Sequence, residues 1–230
     1  MSADIMEFLT LAAIIAPGMI VAITLHEASH GFVAWKLGDD TAYMLGRVTF
    51  NPLRHIDLMG TIVLPALLIF TTGYMFGYAK PVPVNYRRLR NPRRDMVLVA
   101  AAGPASNLLI AIASGLALHL VAGLDSALVI AIFTYSIFFN VILAIFNMIP
   151  LPPLDGGRVA VGLLPYPLSM YLARLERYGM IILLIALIGL PYIGRQIGVD
   201  LNVLSWIMGP LTGYGERFVY WITGNSASGL

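Results

Sequence analysis

The sequence predicts an all-α fold: a polytopic bundle of about five to six membrane helices, one of them re-entrant, with a short β-rich hairpin after the first helix. Composition is the first reason. Of the 230 residues, 59% are hydrophobic and 11% are charged, with a mean hydropathy of +0.83, whereas ordinary soluble domains have about 25% charged residues. The second reason is the recurrence of apolar runs of the roughly 20 residues needed to cross a bilayer. Cysteine is absent, which excludes disulfide scaffolds and cysteine nucleophiles.

The apolar runs define the predicted membrane segments. The first covers residues 5 to about 37, and the others cover about 58–78, 96–123, 127–149, 168–193 and 201–223. The last run is interrupted by glycines, by Pro210 and by the charged pair Glu216 and Arg217. Residues 43–50 are β-rich and alternate loosely, which predicts the hairpin. We expect residues 1–223 to form a single integral-membrane domain, followed by a flexible tail at 224–230.

The distribution of basic residues predicts the topology. Six of them cluster in one loop: Lys80, Arg87, Arg88, Arg90, Arg93 and Arg94. By the positive-inside rule this loop is cytoplasmic, and we expect residues 38–57, which follow Lys36, on the same side. Residues 58–78 then have both flanks in one compartment, and their glycines permit a break, so we predict a re-entrant segment there. The net charge of +2 is too small to indicate a nucleic-acid partner.

One motif in the first apolar run is typical of a metal-binding site. His26, Glu27 and His30 form the pattern H-E-x-x-H. Residues four apart lie on one face of a helix, so the two imidazoles can bind one metal ion. Glu27 lies one residue further round, where its carboxylate can reach a metal-bound water without being a ligand. Three ionisable groups inside a membrane helix are energetically costly, which indicates a functional site.

Two histidines leave a catalytic zinc ion short of a ligand, because such sites usually have three protein ligands. Asp155 is the favoured third ligand. It follows a membrane-length run and three prolines, and irregular backbone at membrane depth is tolerated only beside protein or a wet cavity. His55, in a loop after the first helix, stays open as an alternative, although a structural role is more common for such a residue. His119 is expected to pack at a helix end.

Five motifs together resemble the site-2 protease family of intramembrane zinc metalloproteases. They are HEASHGF, GRVTFNPLRHID, AKPVPVN, AAGPASN and FNMIPLPPLDGG. The resemblance implies that His26, His30 and Asp155 bind one Zn²⁺, that Glu27 is the catalytic base, and that Asn147 helps to hold the substrate carbonyl or the oxyanion. It is a resemblance to a compact subgroup, since no PDZ-like insertion or CBS-like tail fits the sequence.

The resemblance also implies a function. We expect a zinc metalloendopeptidase of the cell membrane that hydrolyses peptide bonds within or near the transmembrane segments of protein or peptide substrates, with its active site near the cytoplasmic face. The alternative is a membrane protein that binds or transports zinc through the same site. In AAGPASN, Gly103 is expected to allow close helix packing, while Asn107 can hydrogen-bond a substrate or loop backbone.

Overall fold

The structure, a computed structural model, describes residues 3–64, 77–124 and 126–225. Within these ranges the protein is helical. The helices are α1 (Ala3–Lys36), α2 (Thr41–Met44), α3 (Pro92–Val121), α4 (Ala127–Asn147), α5 (Asp155–Leu163), α6 (Leu168–Arg174), α7 (Glu176–Leu184), α8 (Leu190–Ile197) and α9 (Val203–Thr223). A π-helical turn, Ile185–Gly189, joins α7 to α8. Short 3-10 turns lie at Pro52–Arg54 and Tyr86–Arg88.

Four of the described helical segments are long and apolar enough to cross a membrane. They are Ala13–Lys36 within α1, Pro92–Val121, Ala127–Asn147 and Glu176–Ile197, which combines α7 and α8. The expected five to six segments are therefore not supported by the described residues. The run at 201–223 does form the 21-residue helix α9, but Glu216, Arg217 and its glycines make that helix less apolar than a membrane span.

The predicted β-hairpin at 43–50 is wrong. Its first residues lie in α2, and the following residues form turns, with no strand in the described part of the chain. Asp39 stabilises the start of α2, because its carboxylate accepts a hydrogen bond from the Thr41 backbone N–H at 3.1 Å. Gly46 then has a φ of 63° and donates its N–H to the Tyr43 carbonyl at 2.9 Å. This left-handed turn, which glycine adopts readily, is incompatible with a continuous strand.

The predicted re-entrant segment lies mainly outside the described residues, which omit 65–76. Its described beginning is a π-helical turn, Leu58–Val63. The two flanks of the segment are hydrogen-bonded to each other: Tyr78 donates its N–H to the Gly60 carbonyl at 3.0 Å, and the Thr61 hydroxyl donates to the Tyr78 carbonyl at 3.0 Å. The tail predicted at 224–230 also lies largely outside the described residues.

Helices α1, α3 and α4 pack against one another and form the framework of the protein, with α9 against α3 and α4. The main apolar core joins α3, α4 and α9 and contains Ala111, Ile137, Val141, Val219 and Tyr220. Small residues allow close approach elsewhere, since a Cβ on Gly18 of α1 would lie 3.2 Å from the Ser136 backbone of α4. Helix α5 packs on α3, which places its first residue next to α1.

Residues 79–85, which we call the strap, cross α1 without helix or strand. The strap is held at both ends. Lys80 donates its N–H to the His55 carbonyl at 2.9 Å, and Asn85 donates its N–H to the Asp39 carboxylate at 2.6 Å. Between these anchors Val82 is buried, with 8% of its surface exposed. The strap thus has a fixed position over the C-terminal third of α1, beside Glu27 and Gly31.

Candidate metal centre

His26 and His30 lie one turn apart on α1 and face the protein interior. Their Nε2 atoms are 3.1 Å apart, and their rings meet edge to face with centroids 4.7 Å apart. Both residues are at least nine-tenths buried, at 7% and 9% exposure. The i, i+4 spacing of a regular helix therefore brings the two nitrogens together, as the motif predicts.

Asp155, the first residue of α5, completes the group. Its Oδ2 lies 3.1 Å from Nε2 of His26 and 3.3 Å from Nε2 of His30. The local sequence makes this approach possible, because a Cβ on Gly156 would lie 2.6 Å from the Ile149 carbonyl oxygen. Only glycine allows α5 to begin so close to the preceding loop.

The backbone of α3 forms one wall of the group. A Cβ on Gly103 would lie 2.6 Å from Nε2 of His26, so the absence of a side chain there leaves room for both rings. The outer nitrogens of the rings also meet α3: Nδ1 of His30 lies 2.7 Å from the Val99 carbonyl, and Nδ1 of His26 lies 2.6 Å from the carboxamide oxygen of Asn107.

These residues fit a metal ion. Two imidazole nitrogens and one carboxylate oxygen lie within 4.8 Å of one another, and the buried Asp155 Oδ2 has no hydrogen-bond partner in the described structure. Burial by itself raises the pKa of Asp155, but the imidazoles of His26 and His30, when protonated, outweigh it and hold the pKa below its usual range. A buried carboxylate facing two histidines matches the donor set of a zinc site with three protein ligands.

Glu27 lies beside this group and is not part of it. Its Oε2 accepts a hydrogen bond from the backbone N–H of Val82, in the strap, at 2.9 Å. The carboxylate is near enough to His30 to interact with that ring electrostatically. The strap therefore fixes one oxygen of Glu27, and among the described residues none bonds the other oxygen.

The remaining predicted residues have hydrogen-bond partners of their own outside the group. Asn147 donates its side-chain N–H to the Leu143 carbonyl of its own helix at 3.0 Å. His55 is buried and bonds the Thr49 carbonyl at 3.1 Å, while His119 bonds the Thr223 carbonyl at 2.6 Å. In the described part of the chain, neither of these histidines joins the three residues that could hold a metal ion.

Sequence reasoning missed three partners of the site. The Val99 carbonyl and the Val82 N–H are backbone groups, which residue identity does not indicate. Asn107 was expected to contact a substrate or a loop, whereas it contacts His26. One signal was available: Asn107 lies four residues after Gly103, hence on the same face of α3, and a polar residue on the small-residue face of a membrane helix points towards a neighbouring helix.

Comparisons with known proteins agree with a metal site. The profile of peptidase family M50 matches residues 118–188. The Bacillus subtilis (strain 168) protein named "Putative zinc metalloprotease YwhC" is 41% identical over 174 residues, 73% of this chain and 76% of that protein. Proteins named "Putative zinc metalloprotease Rip2" are 29% identical over 191 residues in Mycolicibacterium smegmatis (80% of this chain, 70% of that protein) and 28% identical over 200 residues in Mycobacterium tuberculosis strain H37Rv (87% and 74%). No solved structure matches the chain significantly.

Together, the apolar helices, the buried His-His-Asp group and the metalloprotease relatives identify a metalloprotease of the membrane. The chain belongs to peptidase family M50, the site-2 protease family that its motifs predict. The predicted enzyme class, a zinc metalloprotease, and the predicted zinc cofactor are thereby confirmed. The family and the four apolar helices also make it a multi-pass protein in a lipid bilayer.

Proposed function

We propose that the protein hydrolyses peptide bonds within or near the transmembrane segments of membrane-protein substrates, the reaction of regulated intramembrane proteolysis. One observation carries the proposal: Glu27 is held beside a buried metal-binding group without belonging to it. In this proposal His26, His30 and Asp155 hold one Zn²⁺, and Glu27 is the general base. A binding or transport site would need the ligands but would not need a fixed carboxylate next to them.

The chemistry assigns a separate task to each residue. Zinc, when bound, lowers the pKa of water towards about 7 and polarises a carbonyl group. Glu27 accepts a proton from the attacking water and then delivers it to the nitrogen of the leaving amine. The Val82 N–H holds Oε2, so Oε1 is the oxygen that accepts the proton. Asp155, His26 and His30 would hold the zinc ion.

Asn147 is proposed to bind the substrate carbonyl or the oxyanion. Its carboxamide donates one N–H to the Leu143 carbonyl, which leaves a second N–H for a substrate. The residue is only half-buried at the end of α4, a position that an incoming chain can reach. A substrate helix must unwind before its carbonyls are free, so we expect helix-breaking residues near the scissile bond to favour cleavage.

The active site is proposed to lie near the cytoplasmic face of the membrane, within a single domain at 1–223. His30 lies six residues before Lys36, the end of α1, which is about 9 Å along the helix. The basic loop reaches this end, since Arg90 donates its N–H at 3.1 Å to the carbonyl of Leu37, the residue directly after α1. A cytoplasmic basic loop therefore implies a site close to that side. Because the chain has no cysteine, single-cysteine variants at Arg90 and Gly123, labelled from each side of inverted vesicles, test the orientation.

The decisive experiment compares wild type with Glu27→Gln in proteoliposomes. The substrate is a tagged single-span peptide with an Asn-Pro pair in its membrane segment, and an all-leucine span is the control substrate. We expect Glu27→Gln to lower cleavage by about 10²- to 10⁴-fold while bound zinc, measured by elemental analysis, stays at the wild-type level. His26→Ala should lose both zinc and cleavage.

Two results would count against the proposal. Cleavage at the wild-type rate by Glu27→Gln would remove Glu27 from the role of base. Zinc flux across the vesicle membrane that persists in Glu27→Gln, with no cleavage by wild type, would favour a zinc carrier that uses the same site.

A further inference from the structure

Asn107 is buried inside the helix bundle, with 0% of its surface exposed, and it bridges three helices. Its carboxamide nitrogen donates to the Ala22 carbonyl of α1 at 3.2 Å and to the carboxamide oxygen of Asn140 on α4 at 2.9 Å. Its carboxamide oxygen lies 2.6 Å from Nδ1 of His26. All the hydrogen-bonding groups of this side chain are therefore used within the protein.

The orientation of the Asn107 carboxamide follows from its partners. Asn140 donates its nitrogen to the Ser136 carbonyl at 2.9 Å, and a backbone carbonyl can only accept. The oxygen of Asn140 therefore faces Asn107. The nitrogen of Asn107 must face that oxygen and the Ala22 carbonyl, which leaves only its own oxygen for His26.

This orientation fixes the proton on His26. Because the Asn107 oxygen can only accept, Nδ1 of His26 carries the hydrogen, and Nε2 presents its lone pair towards His30 and Asp155. His30 has the same tautomer, because the Val99 carbonyl lies 2.7 Å from its Nδ1 and can only accept a hydrogen bond. The two rings thus both direct free nitrogen lone pairs into the group, one held by a side chain and one by the backbone.

We propose that Asn107, held by Asn140, is the positioning residue of the metal centre: it sets the tautomer and the ring orientation of His26. The proposal rests on the zinc site proposed above. Outer partners of this kind typically contribute about 10- to 100-fold to metal affinity. The competing explanation is that Asn107 only joins helices, as buried amides do in membrane bundles.

The test separates zinc affinity from stability in the full-length protein purified in detergent. Asn107→Leu removes the acceptor, and we expect the zinc Kd, measured by chelator competition, to rise by about 10- to 100-fold. Asn107→Asp keeps an acceptor for His26 but cannot donate to Ala22 or Asn140. We therefore expect it to lower the thermal unfolding temperature and to keep zinc affinity close to wild type. A merely structural role predicts instead that zinc affinity follows stability in both variants.

Two further variants and one spectrum complete the test. Thr223→Ala on α9 is the control, because it removes a buried hydroxyl that bonds the Val219 carbonyl at 2.8 Å and that bonds neither Asn107 nor Asn140 in the described structure; its zinc affinity should be unchanged. Asn107→Ser, which shortens the side chain, replaces the leucine variant if that variant does not fold. In the cobalt-substituted protein, the visible bands should shift in Asn107→Leu and return towards wild type in Asn107→Asp.

The outcomes distinguish this inference from the proposed zinc site. If wild type binds no zinc, or if His26→Ala binds it as tightly as wild type, the zinc site itself is wrong. If His26→Ala loses zinc while Asn107→Leu keeps wild-type affinity and an unchanged cobalt spectrum, only the role of Asn107 is overturned. Equal loss of affinity in Asn107→Leu and Asn107→Asp overturns it as well.

Discussion

Gly103→Ala should weaken metal binding strongly by adding a single methyl group. A Cβ at this position would lie 2.6 Å from both Nε2 and Cε1 of His26, and nearer still to Nε2 of His30. Ordinary contacts of a Cβ begin near 3.4 Å. The methyl group would therefore occupy space beside the nitrogens that face Asp155, and the rings or α3 would have to move.

The displacement required is large for a metal site. Restoring ordinary contacts moves a ring by about 1 Å, whereas zinc–ligand distances of about 2.0–2.1 Å tolerate roughly 0.2 Å. At least one ligand is then lost. Four-ligand structural zinc sites bind with about 10–16 kcal/mol at pH 7, or roughly 3 kcal/mol for each ligand, and each 1.4 kcal/mol is a tenfold change in Kd. We expect zinc affinity to fall by about 100-fold or more.

Zinc content after purification and chelator competition measure this effect. Gly213→Ala on α9 is the matched control, because its Cβ would meet nothing within 4 Å, and it should keep wild-type affinity. Alanine favours a helix by about 1 kcal/mol over glycine, so α3 itself should not be weakened. Wild-type zinc affinity in Gly103→Ala would refute the reasoning, because the wall formed by α3 would then not limit the site.

Two other variants test how the strap is held. Val82→Pro removes the N–H that holds Glu27, at a position that prolines already flank. We expect peptide cleavage to fall about tenfold with zinc content unchanged, whereas Val82→Ala, which keeps the N–H, should retain activity. Equal cleavage rates in the two variants would contradict the role of this hydrogen bond. Asp39→Ala removes a fully buried acceptor of the Thr41 and Asn85 N–H groups. Such a loss costs about 1–3 kcal/mol and should lower the unfolding temperature by about 2–4 °C for each kcal/mol. Asp40→Ala, which loses only a half-exposed ion pair with Arg88, should cost about 1 kcal/mol at most, and a drop as large as that of Asp39→Ala would contradict the difference in burial.

The membrane helices were predictable from the sequence where apolar length alone determines them. The runs at 96–123 and 127–149 correspond to α3 and α4 within a few residues, because backbone groups in a bilayer must be satisfied within a helix. The run at 168–193 was less well predicted. It divides at Leu175, and the span begins only at Glu176, since α6 carries Arg174 and contains only seven residues.

The residues gathered at the metal centre were predictable from their chemistry, but their supports were not. His26 and His30 follow from helical spacing, and Asp155 follows from the missing third ligand. Asn107 lies 81 residues from His26 in the chain, and the contact depends on how α3 is rotated and how deeply it packs against α1. Neither quantity is contained in a hydropathy pattern, although Gly103 marks the face that makes the contact.

The sequence of the strap explains why Glu27 has one backbone partner. In Pro81-Val82-Pro83 the flanking residues have no backbone N–H, so Val82 supplies the only donor of the three. That single donor bonds Glu27, 55 residues earlier in the chain. A partly buried carboxylate loses solvation and gains from a hydrogen-bond donor, and a strap with further free donors would compete for the second oxygen of Glu27. The alternation of proline and valine therefore gives one oxygen of Glu27 a partner and leaves the other for the proposed role of this residue as base.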